Sequence, residues 1–224
     1  VKGTSTLYKD GKAALQWVKT SIDHQRQFEI MQQCIADMCA DIVPAKAKPA
    51  TLNYSDDCLA VYPLGDPHIG MLSWGDETGQ DWDLDIAESA YAAVFDRLIK
   101  AAPSCREAAI INLGDFYHYD NMEGVTSRSG HSLDVDSRYA KMVRVGMRIM
   151  RRMIESALAH HETVRVINVV GNHDDTSALF MSVALANIYE NEPRVIIDDN
   201  PTPVHYIHFG KNMIATHHGH IIKM

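Results

Sequence analysis

Residues 164–174 read VRVINVVGNHD, and this stretch decides the fold. Val164–Val170 is a short apolar run of strand length, rich in β-branched residues. It stops at Gly171 and gives way at once to Asn172, His173 and Asp174. A helical pattern, Thr176–Tyr189, follows. An apolar strand that ends in ligand-type side chains and then enters a helix is the repeating element of an open α/β layer.

Working outward, the same arrangement recurs. Leu59–Leu64 runs into Gly65-Asp66-Pro67-His68, and Ala108–Leu113 runs into Gly114-Asp115-Phe116-Tyr117-His118. Met213–Thr216 runs into His217-His218-Gly219-His220. Helical patterns over 84–102 and 134–160 separate the earlier strands, with Ile86, Ala90, Val94 and Leu98 on one side of the first. Val195–Ile197 and Val204–Phe209 are further strands. The three late, closely spaced strands imply a sheet edge or a second sheet of hairpins. The expected fold class is therefore α/β and layered, with helices packed on the sheet faces.

In such sheets ligands gather outside the carboxyl ends of the strands. Each strand end alone is weak evidence, because Gly-Asp after a strand and Asn-His-Asp before a helix are also ordinary capping chemistry. Four strand ends in series carrying Asp, His and Asn make one converging site the better reading.

The N-terminal region differs. Thr4–Tyr8 and Ala13–Lys19 flank Lys9-Asp10-Gly11-Lys12, a hairpin signal. Asp23 to Ile42 reads as a helix with Phe28, Met31, Ile35, Met38 and Ile42 on one face. Residues 43–57, with two prolines, read as a linker. The expected organisation is an appendage over 1–42, a linker over 43–57 and a main domain over 58–224.

The chain has 224 residues, ample for a core without covalent staples. Its formal charge of −8 argues against gripping nucleic acid through bulk charge. No stretch approaches a membrane span, and no secretory signal is visible. Cys34, Cys39, Cys58 and Cys105 form no CxxC pair and read as reduced thiols of a cytoplasmic protein. The sequence holds no GxxxxGK[ST] loop, no GxGxxG after a strand, no GxSxG elbow and no HExxH. Twelve histidines are many for this length, and most follow Asp115.

The ordered set Asp66-Pro67-His68, Gly114-Asp115-Phe116-Tyr117-His118, Gly171-Asn172-His173-Asp174 and His218 resembles the motifs of the calcineurin-like metallophosphoesterase superfamily, over about residues 58–224. The stretches LGDPHIGMLSW, NLGDFYHYDN and VVGNHDDTSALF look closest to metallophosphoesterases encoded by phages and prophages. The resemblance implies a layered metallophosphoesterase fold, a β-sheet sandwich flanked by helices, and two divalent ions. Asp66 and His68 would hold the first, Asp115 would bridge both, and Asn172 and His218 would hold the second. Such mixed ligands suit Mn²⁺ foremost, with Fe²⁺, Zn²⁺ or Ni²⁺ as alternatives. Two carboxylates against two divalent ions leave the centre positive, which suits an anionic phosphate.

By the same resemblance His173 would act as general acid or stabilise the leaving oxygen, with Asp174 orienting its ring. His118 stands where phosphatases of the superfamily carry a second Asp. It resembles the substrate-contacting histidine of the DNA-repair exonucleases. The implied function is a phosphodiesterase, a DNA nuclease of phage origin acting in the host cytoplasm. A phosphomonoesterase and a non-catalytic nucleic-acid or protein binding module are the alternatives.

Arg128 and His131, in the polar loop 121–137, are candidates to clamp phosphate oxygens. Arg138, Lys141, Arg144, Arg148, Arg151 and Arg152 form a basic stripe along one helix face. It reads either as a track for a nucleic-acid backbone or as a solvated face. The six acids between Asp76 and Glu88 read as a solvated loop and helix start. The superfamily's final G-H-x-H does not follow His218. Either it lies beyond Met224, or His218-Gly219-His220 is that motif, with His205 or His208 as the earlier ligand. His24, His160 and His161 read as surface residues. A homodimer or a phage protein is the expected partner of residues 1–42.

Overall fold

A computed structural model describes the backbone of residues 3–9 and 12–19, and residues 53–127 and 129–220 in full. The predicted helix over 23–42 and Arg128 lie outside the described residues.

β1 (Gly3–Lys9) and β2 (Lys12–Lys19) pair antiparallel as a hairpin, from Gly3 opposite Lys19 to Lys9 opposite Lys12. Four strands build the main sheet: β3 (Ser55–Leu64), β4 (Cys105–Asn112), β5 (Thr163–Asn168) and β6 (Val195–Asp198). They lie side by side in chain order and every pairing is parallel. β3 begins at Ser55, so the end of the predicted linker is already strand. The three late, closely spaced strands divide: β6 takes the edge of the parallel sheet, and β7 (His205–Phe209) and β8 (Asn212–Thr216) form a separate antiparallel hairpin.

Period-two alternation gives the sheet two different faces. Ala60, Tyr62, Leu64, Ala108, Ile110, Val164 and Val166 face one core, shared with the helices. Ala109, Ile111, Ile167 and Val169 face a smaller one with Ile207 of β7 and Ile214 of β8. The layers are thus helices, parallel sheet and hairpin.

Among the described residues the helices are a single exposed turn, α1 (Gly75–Thr78), and three longer ones, α2 (Leu84–Ala101), α3 (Tyr139–Leu158) and α4 (Asp175–Ile188). α2 starts where the Asp83 carboxylate accepts the Ile86 amide at 2.7 Å, a side-chain N-cap. It turns Leu84, Ala87, Phe95 and Ile99 inward. The predicted stripe faces the other way, since Ile86, Val94 and Leu98 are exposed. Both stripes have helical spacing, and Phe95 is the large side chain that fixes the choice by packing its ring at a tilt against Tyr62, with centroids 5.1 Å apart.

α3 buries Met142, Val145, Ile149, Met150 and Met153 and turns its basic stripe outward. It begins five residues later than the predicted 134, because residues 134–136 are bonded elsewhere. Val135 bridges Met71, Asp136 N–H donates to Gly70 O at 3.1 Å, and the Asp136 carboxylate accepts the Leu84 amide at 2.8 Å. Gly146 lies where α3 crosses Tyr117, and a side chain there would overlap the buried phenol ring. Among the described residues no helix is long and apolar enough to cross a membrane.

Candidate metal centre

Parallel pairing puts the carboxyl ends of β3, β4 and β5 at one edge, so the three segments that follow them start side by side. Backbone bonds continue past the strand ends. Leu113 N–H donates to Leu64 O at 2.8 Å, His68 N–H to Asp115 O at 2.9 Å, Ile69 N–H to Phe116 O at 2.8 Å and His118 N–H to Ile69 O at 3.0 Å. The first two loops are therefore zipped together.

The third loop is tied on by Asp174, which is fully buried. Its two carboxylate oxygens accept the amides of Tyr117 at 3.0 Å and Gly171 at 3.1 Å. Burial pushes its pKa up to about 7, against the lowering effect of those two amides. Asp174 was expected to orient the His173 ring. Instead, His173 Nδ1 faces the carbonyl of His118 at 2.8 Å, and Asp174 is committed to the backbone. The cause is depth, because the Asp174 side chain turns inward beneath the loop.

Within this frame Asp66, His68 and Asp115 have φ of 40°, 44° and 50°. They are the only non-glycine residues with positive φ among those described. Left-handed backbone costs a side chain of this kind on the order of 1 kcal/mol or more and persists only where surroundings enforce it.

The side chains converge in two groups. The ligand atoms of Asp66, Asp115 and His218 lie within 4.8 Å of one another, as do those of His68, His118 and His173. His218 is set by its Nδ1, 3.0 Å from the Leu113 carbonyl, which leaves Nε2 with its lone pair. That Nε2 stands 3.2 Å from Asn172 Oδ1 and 3.3 Å from Asp115 Oδ2, and Nδ1 is 3.7 Å from Asp66 Oδ1. With Nδ1 donating to the Leu113 carbonyl, a neutral His218 would bring its Nε2 lone pair to the same point as an amide oxygen and a carboxylate, a donor set that fits a cation. Asp115 is also gripped by the His173 amide, which donates to its Oδ1 at 2.9 Å.

In the second group His68 Nδ1 and His118 Nδ1 are 3.3 Å apart. The His173 ring stacks on His118 at 5.7 Å and meets His68 edge-on at 4.8 Å. Burial first, then the neighbouring imidazoles, lower the pKa of His118 to about 4; burial also leads the lowering at His68. Neutral imidazoles are the ligand form. The geometry therefore groups His68 with His118 and His173, and Asp66 with His218, rather than Asp66 with His68.

His131 is exposed on a turn closed by Thr126 N–H to His131 O at 2.9 Å, and it belongs to neither group. His205 is buried with its Nδ1 3.0 Å from Asp198 Oδ2, and His208 is exposed on β7; neither joins the groups. The His220 ring lies 5.1 Å from that of His218. His161 is a correction to its surface placement. It is buried, with Nε2 2.8 Å from the Tyr62 hydroxyl and Nδ1 2.8 Å from the Cys105 carbonyl. The basic stripe is partly spoken for: Arg148 makes a two-pronged bond with Glu88 at 2.8 and 2.7 Å, and Arg152 reaches Asp96 at 3.3 Å.

Sequence reasoning missed Asn112 and Asn168. Both are buried at their strand ends; the Asn112 amide donates to Asn168 Oδ1, and Asn168 donates to the Ala178 carbonyl of α4 at 2.7 Å. An Asn closing each of two apolar strands, just before the loop glycines, was the available signal.

Comparison of the chain with protein-family models, curated proteins and solved structures finds no match. The class that the fold and site define is a layered α/β protein with His/Asp groups able to hold a metal ion.

Proposed function

We propose that the protein is a calcineurin-like, metal-dependent phosphoesterase that hydrolyses phosphodiester bonds, with DNA as its substrate class. The observation that carries this reading is the coincidence of strain and chemistry. The three non-glycine residues held at positive φ are Asp66, His68 and Asp115, and all three belong to the converging ligand groups. Ordinary capping would not require that strain, whereas a ligand cluster that must aim short side chains at one point does.

Asp66, Asp115, Asn172 and His218 would hold one divalent ion, and His68 with Asp115 would contribute to a second, Mn²⁺ being the first choice. Bound there, such ions supply Lewis acidity toward the phosphoryl oxygens and an activated water. The chain's own residues do the rest. The Leu113 carbonyl fixes His218 with Nε2 facing Asp115 and Asn172. The His118 carbonyl fixes His173 with Nδ1 as the donor, leaving Nε2 to handle a proton at the leaving oxygen. His118, stacked on the His173 ring, would meet the phosphate beside it. Asp174 holds the second and third loops together, so the two histidines keep one spacing.

The test compares an aromatic phosphodiester with the matching monoester, each in Mn²⁺. Faster turnover of the diester, lost in Asp115→Asn and reduced roughly 10²–10⁴-fold in His173→Ala, is the expected result. Preference for the monoester would move the substrate class to phosphomonoesters. DNA binding unchanged by His173→Ala, with no turnover by either form, would replace catalysis with a binding role.

A further inference from the structure

We propose that Cys58 and Cys105 form a redox-reversible pair that closes to a disulfide under mild oxidation and staples the amino-terminal ends of β3 and β4. Both are free thiols, and their sulfurs are 2.7 Å apart. That is inside ordinary nonbonded sulfur contact and needs only a small approach to the bonded distance of about 2.05 Å.

The local fold produces this proximity. β3 advances four residues from Ser55 to Leu59 while β4 advances two, from Cys105 to Glu107. This irregularity swings Cys58 over the start of its neighbour. The site is also braced. Arg106 pairs with both Asp56 and Glu162, so one guanidinium ties the starts of β3, β4 and β5. On the inner side, the Cys105 carbonyl is held by His161, which also meets Tyr62. The two sulfurs are thus held by elements that cannot separate without breaking a buried chain of bonds.

The chemistry divides between the two residues. Cys58 is half-buried and open to a reagent; Cys105 is fully buried. Desolvation, and then the Cys58 thiol beside it, push the Cys105 pKa up to about 11, so it does not attack external reagents. With oxidised glutathione as oxidant, the Cys58 thiolate attacks one glutathione sulfur and expels a glutathione thiolate. Cys105 then loses its proton and displaces the second glutathione from the mixed disulfide. The pair gives up two protons and two electrons, and the oxidant leaves as two reduced glutathiones.

The staple would lie at the strand ends opposite to those that carry Asp66 and Asp115, and it is independent of the phosphoesterase reading. It encloses a span of 47 positions, so closing it removes substantial freedom from the unfolded chain.

Oxidation of the folded full chain by glutathione disulfide, followed by peptide mapping, tests it. The expected result is a Cys58–Cys105 peptide lighter by two hydrogens and a melting temperature higher on the order of 5–10 °C. A reductant should reverse both, and Cys58→Ser should show neither. Mapping on the native sequence keeps the test valid if that variant folds poorly. The proposal is overturned if the folded chain keeps both thiols under conditions that oxidise the urea-unfolded chain. It is equally overturned if the bonds found join Cys34 or Cys39 to other partners, or if linkage lowers the melting temperature.

Discussion

Gly171 lies against Asp115 so closely that a Cβ on it would overlap both the Asp115 carboxylate and its amide nitrogen. The glycine that ends the third strand segment is therefore the space into which the central carboxylate of the second one fits. Gly171→Ala must push Asp115 or the loop aside. We expect a loss on the order of 1–3 kcal/mol in unfolding free energy, as for other overpacked sites. We also expect a larger proportional loss of Mn²⁺ affinity, read by calorimetric titration. An alanine variant that binds Mn²⁺ as the native chain does would show that Asp115 does not need this position.

Gly146 poses the same question inside a helix. Propensity alone makes Gly→Ala stabilising by about 1 kcal/mol in a helix interior. Here the added methyl would collide with the ring of Tyr117, which is buried in the loop carrying Asp115 and His118. Gly146→Ala should therefore destabilise, by about 1–3 kcal/mol, against the helix rule. Urea unfolding monitored by circular dichroism measures it. Pairing the substitution with Tyr117→Phe should leave most of the loss, because the ring and not the hydroxyl makes the closest approach.

How far the sequence discloses this arrangement depends on the range of the interaction that sets each part. The strands around 59–64, 108–113 and 164–170 follow from local apolar runs, and their loops carry their chemistry in adjacent letters. Convergence of Asp66, Asp115 and Asn172 follows from parallel order, whereas His218 arrives from the separate β7–β8 hairpin. The buried face of α2 does not, because two stripes have equal helical spacing and only the Tyr62–Phe95 contact selects between them. His161 reads as a surface residue beside His160 until Tyr62, 99 positions away, meets its ring. The partition of histidines into two groups depends on left-handed turns at Asp66 and His68, which no residue type announces.

The pairing of Arg148 with Glu88 decides between two uses of the basic stripe on α3. Both side chains are substantially exposed, so the pair contributes at most about 1 kcal/mol. Arg148→Ala should cost that little in thermal unfolding, and the exchange of Arg148→Glu with Glu88→Arg should restore part of it. With the arginine already engaged by an acid of its own chain, Arg148→Ala should change DNA affinity less than twofold at physiological salt. A tenfold loss of affinity and a shallower salt dependence, with stability intact, would instead assign Arg148 to phosphate contact.

Asp120, two residues after His118, gives the fold a pH dependence of its own. It caps α4 from a distance, accepting the Thr176 amide at 2.7 Å, the Ser177 amide at 2.8 Å and the Ser177 hydroxyl. Asp174, at the helix's own N-cap position, makes no such bond to α4. Burial dominates at Asp120 and raises its pKa from 3.8 to about 6, although the amides and hydroxyl favour the charged form and offset part of the rise. Because the folded value lies above the unfolded one, the folded chain keeps a proton between pH 3.8 and 6 that the unfolded chain has released. Stability from this group is thus fully present below pH 3.8 and declines as pH rises through 6. Asp120→Asn cannot titrate. Its melting temperature, compared with that of the native chain across this window, should lack the decline. Asp120→Ala removes the cap itself and should cost about 1–2 kcal/mol at every pH. Parallel melting curves for the native chain and Asp120→Asn between pH 4 and 7 would show that the carboxyl does not hold its proton in the folded state.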